Sequence, residues 1–279
     1  MTDEYVPVVA EVTDNRMETP PGDRAIRTLR VQKDGKAPFA HKSGQCAMLS
    51  AFGRGESMIS IACPPNGEYL EFSILLQGAV TTQLQYLEKG EKIALRGPYG
   101  NNFPVDEWKG KRVLVTGGGI GIAPLRSVYG YVLQHRDQFA GLDIFYGARS
   151  SADLVYKKEF DEIARSGKAA VHLSIDRAEP GWDQFVGFVA ANLTRVSPSP
   201  RDTIAITCGP PIHIKVTLEK LKGLGFTDDQ IYTTLERKMK CGFGKCGRCN
   251  IGSIYTCTKG PVFSYAQIKK MMPEGMPDR

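Results

Sequence analysis

Four of the seven cysteines stand close together, Cys241, Cys246, Cys249 and Cys257, with the spacing C-x4-C-x2-C-x7-C. Three thiolates on one loop and a fourth on a returning segment is how plant-type [2Fe–2S] clusters are held, although their fourth cysteine is usually more distant. Gly242, Gly244 and Gly247 would let the backbone bend round a cluster and aim N–H groups at its sulfurs. A structural zinc is the alternative, but zinc knuckles usually start from a C-x2-C pair. Free thiols are the third reading. Cys46, Cys63 and Cys208 are scattered, whereas a disulfide framework would spread pairs over a small secreted domain. The clustered four therefore predict a metal site.

Two glycine turns come next. Residues 112–116 read as a buried strand that runs into Gly117-Gly118-Gly119-Ile120-Gly121, with Pro124 as a good early helical residue. A strand, a glycine turn and a helix start make a site for a pyrophosphate, because the turn allows close approach and the helix N-terminus favours negative charge. The bland reading is a tight turn with no ligand. Cys208-Gly209-Pro210-Pro211 follows another apolar strand, 204–207, which puts both turns at the carboxyl ends of parallel strands, where open sheets bind ligands. A third candidate is 77–84, a turn into a short helix with Gly78, Val80 and Thr81, offering N–H groups and hydroxyls to a phosphate. By itself that segment is also readable as a capped helix.

The elements that must position these groups fall into two regimes. Short strands at 5–12, 26–31, 45–51, 58–62, 69–76 and 92–96, punctuated by Gly and Pro, predict a small antiparallel β-barrel. Residues 104–110 read as a linker. From 112 onward strands alternate with helices: strand 113–116, helix 124–134, strand 142–147, helix 156–165, strand 170–175, a helical stretch 185–193, strand 203–207, helix 212–224 and strand 231–235. Such alternation predicts a parallel sheet with helices on both faces. A short helix at 265–271 and a frayed tail follow the cysteines. The expected domains are an antiparallel β-barrel over 1–105, an α/β parallel-sheet nucleotide-binding domain over 106–235 and a small C-terminal module over 236–279.

The chain has 279 residues, with Lys+Arg 36 against Asp+Glu 30 and a net charge of +6. That length suits two domains with a small appended module. Hydrophobic content of 42% and charged content of 24% argue against disorder. No apolar run approaches the roughly 18 residues that a membrane helix needs, so no membrane insertion is expected. Met1-Thr2-Asp3-Glu4 is no signal peptide, and a cytoplasmic location is expected. The modest, spread charge is no nucleic-acid footprint.

Gly-Gly-Gly-Ile-Gly-Ile-Ala-Pro, Cys-Gly-Pro-Pro, the 78–84 element and Gly97-Pro98-Tyr99-Gly100 stand in the order found in the ferredoxin–NADP reductase superfamily. With the cysteine module, the whole chain from about 5 to 271 resembles the flavin-and-cluster subunits of multi-protein redox complexes. Those include the gamma subunits of NAD(P)-linked nickel–iron hydrogenases (sulfhydrogenases), the B subunit of anaerobic sulfite reductase and the electron-transfer subunit of dihydroorotate dehydrogenase.

The resemblance implies a flavin-binding barrel, an NAD(P)-binding α/β domain and a [2Fe–2S] module. It implies that Ile59 and Ser60 line the flavin ring, that Gly78, Val80 and Thr81 cradle the FAD pyrophosphate, and that Gly118, Gly119 and Gly121 face the nicotinamide dinucleotide. Cys208 and Gly209 would lie near the nicotinamide, and Cys241, Cys246, Cys249 and Cys257 would hold the cluster. The R-x-Y-S flavin motif is here Ser57-Met58-Ile59-Ser60, without the arginine and the stacking tyrosine. His213 stands where a methionine commonly follows Cys-Gly-Pro-Pro, and a surface or helix-capping histidine is expected there. Arg149 follows the second strand of the sheet, where it would take a 2′-phosphate or pair with Asp153 or Glu159, which leaves the coenzyme as NAD(P).

The function implied is that of an NAD(P)H-linked oxidoreductase subunit. It would exchange hydride between NAD(P)H and FAD, and single electrons between FAD and a [2Fe–2S] cluster serving a partner catalytic or electron-carrying subunit. No general base is assigned, because the redox chemistry belongs to the cofactors. Arg237, Lys238, Lys240, Lys245 and Arg248 crowd the cysteine loop and suggest a docking face for an acidic partner. The rival readings are a self-sufficient NAD(P)H flavin reductase and a non-catalytic zinc-containing interaction protein.

Overall fold

A computed structural model describes residues 6–273; the expected strand start at Tyr5, residues 1–4 and the tail beyond 273 lie outside the described residues. Two units form. The first comprises the described residues through Phe103 together with Leu235–Pro261, and the second comprises Pro104–Thr234 together with the described residues from Val262.

In the first unit β1 (Val8–Met17), β2 (Ile26–Gln32), β3 (Cys46–Ala51), β4 (Gly55–Ser60), β5 (Leu70–Leu75) and β6 (Lys92–Tyr99) form an antiparallel sheet in the order β4-β3-β6-β1-β2-β5. The edge strands β4 and β5 meet, which curls the sheet into the expected barrel, and α1 (Ala79–Gln85) packs on it. Side chains alternate across a strand. In β2, Leu29 and Val31 enter the core with Val12, Leu49, Phe72 and Leu95. Thr28 and Arg30 take the other face, where Thr28 Oγ1 lies 2.7 Å from Ser73 Oγ. There the fully buried Glu71 accepts from Arg16 Nη1 at 2.8 Å and Arg30 Nη2 at 3.0 Å, tying β1, β2 and β5 together.

In the second unit the chain runs β7 (Arg112–Gly118), α2 (Ile122–Gln134), β8 (Gly141–Ala148), α3 (Lys157–Ser166), β9 (Ala170–Ile175), β10 (Phe185–Val186), α4 (Val189–Val196), β11 (Thr203–Cys208), α5 (Pro211–Gly223) and β12 (Ile231–Thr234). The hairpin β13 (Asn250–Ile251) and β14 (Ile254–Tyr255), with α6 (Thr256–Lys259), belongs to the first unit. β15 (Val262–Ser264) and α7 (Tyr265–Met271) return to the second. The sheet order is β10-β9-β8-β7-β11-β12-β15, parallel except for the antiparallel β12–β15 pair. β11 is buried at every residue, as a central parallel strand covered on both faces must be. On α2 the spacing Ile122, Leu125, Val128, Tyr129 and Val132 gives one apolar face to the sheet. β7 neighbours β8 on one side and β11 on the other, so the strand order reverses between β7 and β11, and the crevice beyond their carboxyl ends is the topological switch point.

Three expectations are corrected. Strand 58–62 lies at Gly55–Ser60 instead, because the turn at Gly53, with φ of +76°, starts the return earlier. The 104–110 linker holds a 3-10 turn at Val105–Trp108, and Trp108 is buried with its ring centroid 5.2 Å from that of Tyr232. The helical stretch 185–193 divides: Phe185–Val186 pairs in parallel with β9, and Gly187, at φ of +133°, breaks the chain before α4.

Candidate functional site

The cysteine loop is built by backbone that only glycine adopts comfortably. Gly242, Gly244 and Gly247 have φ of +88°, +72° and +71°. A Cβ on Gly242 would also sit 2.9 Å from the Tyr99 ring. These bends turn N–H groups inward. Gly244 N donates to Cys257 Sγ at 3.2 Å, and Phe243 N and Lys245 N each donate to Cys241 Sγ at 3.4 Å. The four thiols associate two by two: Cys249 Sγ donates to Cys257 Sγ at 3.3 Å, and Cys241 is hydrogen-bonded to Cys246. Burial opposes ionisation of Cys241, but the N–H groups and the Cys246 thiol outweigh it and bring its pKa down to about 6. Burial, then the Cys249 thiol, push Cys257 up to about 12.

Two adjacent thiol pairs with N–H donors at the sulfurs suit a two-iron centre, in which each iron takes one pair. A single zinc needs four sulfurs disposed evenly about one point. Cys249 and Cys257 are buried with Met48, Tyr99, Met239 and Cys46 of β3, while Cys246 is exposed. Phe243 meets the Tyr99 ring edge-on, with centroids 5.3 Å apart.

Both glycine turns fall where expected, and each of their glycines has a distinct job. A Cβ on Gly121 would lie 2.5 Å from Cys208 O and Gly209 Cα, so the turn after β7 packs directly on the turn after β11. A Cβ on Gly118 would lie 2.9 Å from the His213 ring, and one on Gly209 would lie 2.8 Å from it. Gly119, at φ of +55°, has no atom within 4 Å of a built Cβ and lies open. α2 then begins at Ile122 with neither an acidic residue in its first turn nor a side-chain cap, so no side chain there opposes an anion, although Ile122 N already donates to Gly119 O. Cys208 is buried and accepts a hydrogen bond from Thr234 Oγ1 at 2.9 Å.

His213 is neither a surface histidine nor a helix cap. Its ring fills the wedge that Gly118 and Gly209 leave by lacking side chains, with Nε2 3.4 Å from Thr207 Oγ1. Burial lowers its pKa to about 4, outweighing a hydrogen bond to the Thr116 backbone, so the ring is neutral at pH 7.

On the barrel, Ile59 and Ser60 lie half-buried on edge strand β4, and Ile59 and Val80 pack on the same core. A Cβ on Gly78 would meet nothing within 4 Å. The Thr81 hydroxyl does not face outward: it accepts from Gln77 N and Gly78 N and donates to Gly78 O, each at 3.0 Å. It closes the turn, because a threonine at the third helical position reaches back to the cap. The first-turn N–H groups of α1 remain for a ligand.

Arg149 pairs with neither Asp153 nor Glu159. Glu159 is taken by Arg126 Nη2 and Tyr129 Oη, both at 2.8 Å, and Asp153 by Ser150 Oγ at 2.7 Å. Among the described residues the exposed Arg149 has no ion pair. Sequence reasoning missed Glu236. Its side chain keeps access to solvent, yet the surrounding protein raises its pKa by desolvation, and it stands close enough to Cys46 to help raise that thiol to about 12, after burial and the charge of Cys257. The only signal in the sequence was one acid heading a basic run.

Residues 114–219 match the family model of the oxidoreductase NAD-binding domain, and residues 236–269 that of the iron-sulfur cluster binding domain of dihydroorotate dehydrogenase B. The chain is 38% identical to the gamma subunit of sulfhydrogenase 1 of Pyrococcus furiosus, over 82% of this chain and 81% of that protein. It is 30% identical to a probable dihydroorotate dehydrogenase B (NAD(+)) electron transfer subunit of Methanocaldococcus jannaschii, over 92% of this chain and 89% of that one. Among solved structures, that of an NADH-dependent reduced ferredoxin–NADP oxidoreductase matches with a TM-score of 0.73 at 20% identity, over 95% of this chain and 94% of that one. That last likeness concerns the fold.

Proposed function

We propose a function from the premise that this chain belongs to the family of the sulfhydrogenase gamma subunits and dihydroorotate dehydrogenase electron transfer subunits. It is an oxidoreductase subunit that exchanges hydride between NAD(P)H and a flavin, and single electrons between the flavin and a [2Fe–2S] cluster that serves a partner catalytic subunit. The observation that carries this reading is the pair of thiol pairs, Cys241–Cys246 and Cys249–Cys257, ringed by backbone donors on a chain that also holds two abutting glycine turns at a switch point. When bound, a flavin accepts two electrons with a hydride and releases them singly, and a [2Fe–2S] cluster carries one at a time.

The chain's own residues bind and orient. In this reading the barrel over 1–105 binds FAD: Ile59 and Ser60 line the ring, Gly78 and Val80 present backbone to the pyrophosphate, and Thr81 holds that turn in shape. The region 106–235 binds the dinucleotide, with Gly119 at the open face of the turn and Gly118 and Gly121 letting the two turns abut. Cys208 and Gly209 stand at the nicotinamide end. Residues 236–279 carry Cys241, Cys246, Cys249 and Cys257 as the cluster ligands. No described helix is long and apolar enough to cross a membrane.

The test is anaerobic purification followed by metal, sulfide and visible-absorption analysis. About two irons and two acid-labile sulfides per chain are expected, with a noncovalent FAD that NADH or NADPH bleaches. Stoichiometric zinc without labile sulfide or flavin would reject the reading. Electron delivery to soluble acceptors with no co-purifying subunit would turn it into that of a self-sufficient reductase.

A further inference from the structure

We propose that Glu179 makes this chain select NADH over NADPH, by setting a carboxylate on the Ser151 N–H, at the turn a 2′-phosphate would approach. The inference rests on the dinucleotide-binding reading above. In open parallel sheets the adenosine ribose lies at the carboxyl end of the strand that follows the glycine-turn strand. An acid there recognises a free 2′-hydroxyl, and an arginine there accommodates a 2′-phosphate. Here that strand is β8, which neighbours β7, and the chain leaving it is Arg149-Ser150-Ser151.

β9 ends beside it, where Asp176 N donates to Ala148 O at 3.2 Å. The segment that follows brings Glu179 back, and both of its carboxylate oxygens lie 3.2 Å from Ser151 N, accepting its N–H. Trp182 N donates to Glu179 O at 3.2 Å and steadies the return. Ser150 Oγ donates to Asp153 at 2.7 Å. On this turn the Ser151 N–H is held by the Glu179 carboxylate and the Ser150 hydroxyl by Asp153, while the Arg149 guanidinium has no ion pair among the described residues.

An incoming 2′-phosphate would find Ser151 N already taken and would stand beside the Glu179 carboxylate, negative against negative. A 2′-hydroxyl is a donor, and the Glu179 carboxylate has lone pairs left to accept it. Arg149 alone points toward NADPH, but the carboxylate already in place on the same turn decides against it.

The experiment compares wild type, Glu179→Gln and Glu179→Gln with Arg149→Ala in two assays. One is kcat/KM for NADH and NADPH with ferricyanide as acceptor. The other is the Kd of ADP and of 2′,5′-ADP by calorimetry, a readout that needs no turnover. Wild type is expected to favour NADH, and ADP over 2′,5′-ADP. Glu179→Gln keeps the size and removes the charge, so it should raise kcat/KM for NADPH and affinity for 2′,5′-ADP by on the order of 10- to 100-fold, the worth of a charge-assisted hydrogen bond. The kcat/KM for NADH and affinity for ADP should fall by about 3- to 10-fold, because the 2′-hydroxyl loses a charged acceptor, and adding Arg149→Ala should abolish the NADPH gain.

Wild type favouring NADPH overturns the proposal, as does a Glu179→Gln protein that retains its flavin and whose NADH-to-NADPH ratio is unchanged. A flavin-loaded wild type that binds neither adenosine probe and oxidises neither coenzyme overturns the parent reading and the selector with it.

Discussion

Acidification from pH 7 to pH 4 probes the wedge between the two glycine turns. The His213 ring lies within 2.9 Å of where a Cβ on Gly118 or Gly209 would be, and burial lowers its pKa to about 4 against the histidine value of 6.5. A base whose folded pKa is depressed binds its proton more readily when unfolded. Its neutral form therefore supports the fold fully above pH 6.5, and that support drains away as the pH falls toward 4. At 1.36 kcal/mol per pK unit the loss is about 3 kcal/mol, a large share of a typical 5–15 kcal/mol stability. His41 and His172 also have lowered pKa values through burial, and carboxylates titrate in the same window, so wild type alone does not isolate the effect. The measurement is urea unfolding of wild type and His213→Asn at pH 7, 6, 5 and 4. The wild-type advantage should shrink by about 3 kcal/mol across the series, and the His213 ring in a labelled NMR sample should titrate near pH 4. A ring titrating near 6.5, or a difference between the two proteins that does not change with pH, would refute the wedge.

Gly118→Ala should cost about 1–3 kcal/mol by overpacking against His213, and His213→Ala should restore much of it in thermal melts of the double variant; strictly additive costs would mean that the two do not share the space. Cys249→Ser or Cys257→Ser should abolish iron and labile sulfide, whereas Cys63→Ser should leave both unchanged, and so should Cys46→Ser despite its place beside Cys257; metal analysis of the four decides. Thr81→Val removes the hydroxyl that closes the 77–81 turn, at about 1 kcal/mol for a lost cap, and should weaken FAD retention on gel filtration while leaving the iron content alone. Lys238→Glu with Lys240→Glu should preserve NAD(P)H-to-dye activity but slow electron delivery to an acidic partner, most at low ionic strength; unchanged delivery would place the exit elsewhere.

The chemistry of the chain was legible wherever it is set by neighbours in sequence. Four cysteines within a stretch of 17 residues have to share a loop, and their spacing alone suggested a cluster. A glycine turn between an apolar strand and a proline-started helix is likewise local, and so is the strand–helix alternation that announced the parallel sheet. Side-chain periodicity and turn chemistry act over a few residues, and a sequence displays both.

Tertiary structure decided what depends on residues far apart. Whether Gly118 faces a ligand or a ring depends on His213, which the parallel pairing of β7 with β11 brings across from 95 positions away. Thr81 looked like a phosphate ligand until its hydroxyl was seen spent on its own turn. Phe185–Val186 became a strand because the β9 edge offered hydrogen bonds that outweigh a weak helical preference at a segment's start. Cys46 joined the cluster's surroundings only because β3 pairs with β6 and the cysteine loop packs on both. Arg149 was visible as a cation, but Glu179 is 30 residues further on. Only the return of the chain after β9 could put a carboxylate on the Ser151 N–H, because a long-range hydrogen bond leaves no period or motif in the sequence to mark it.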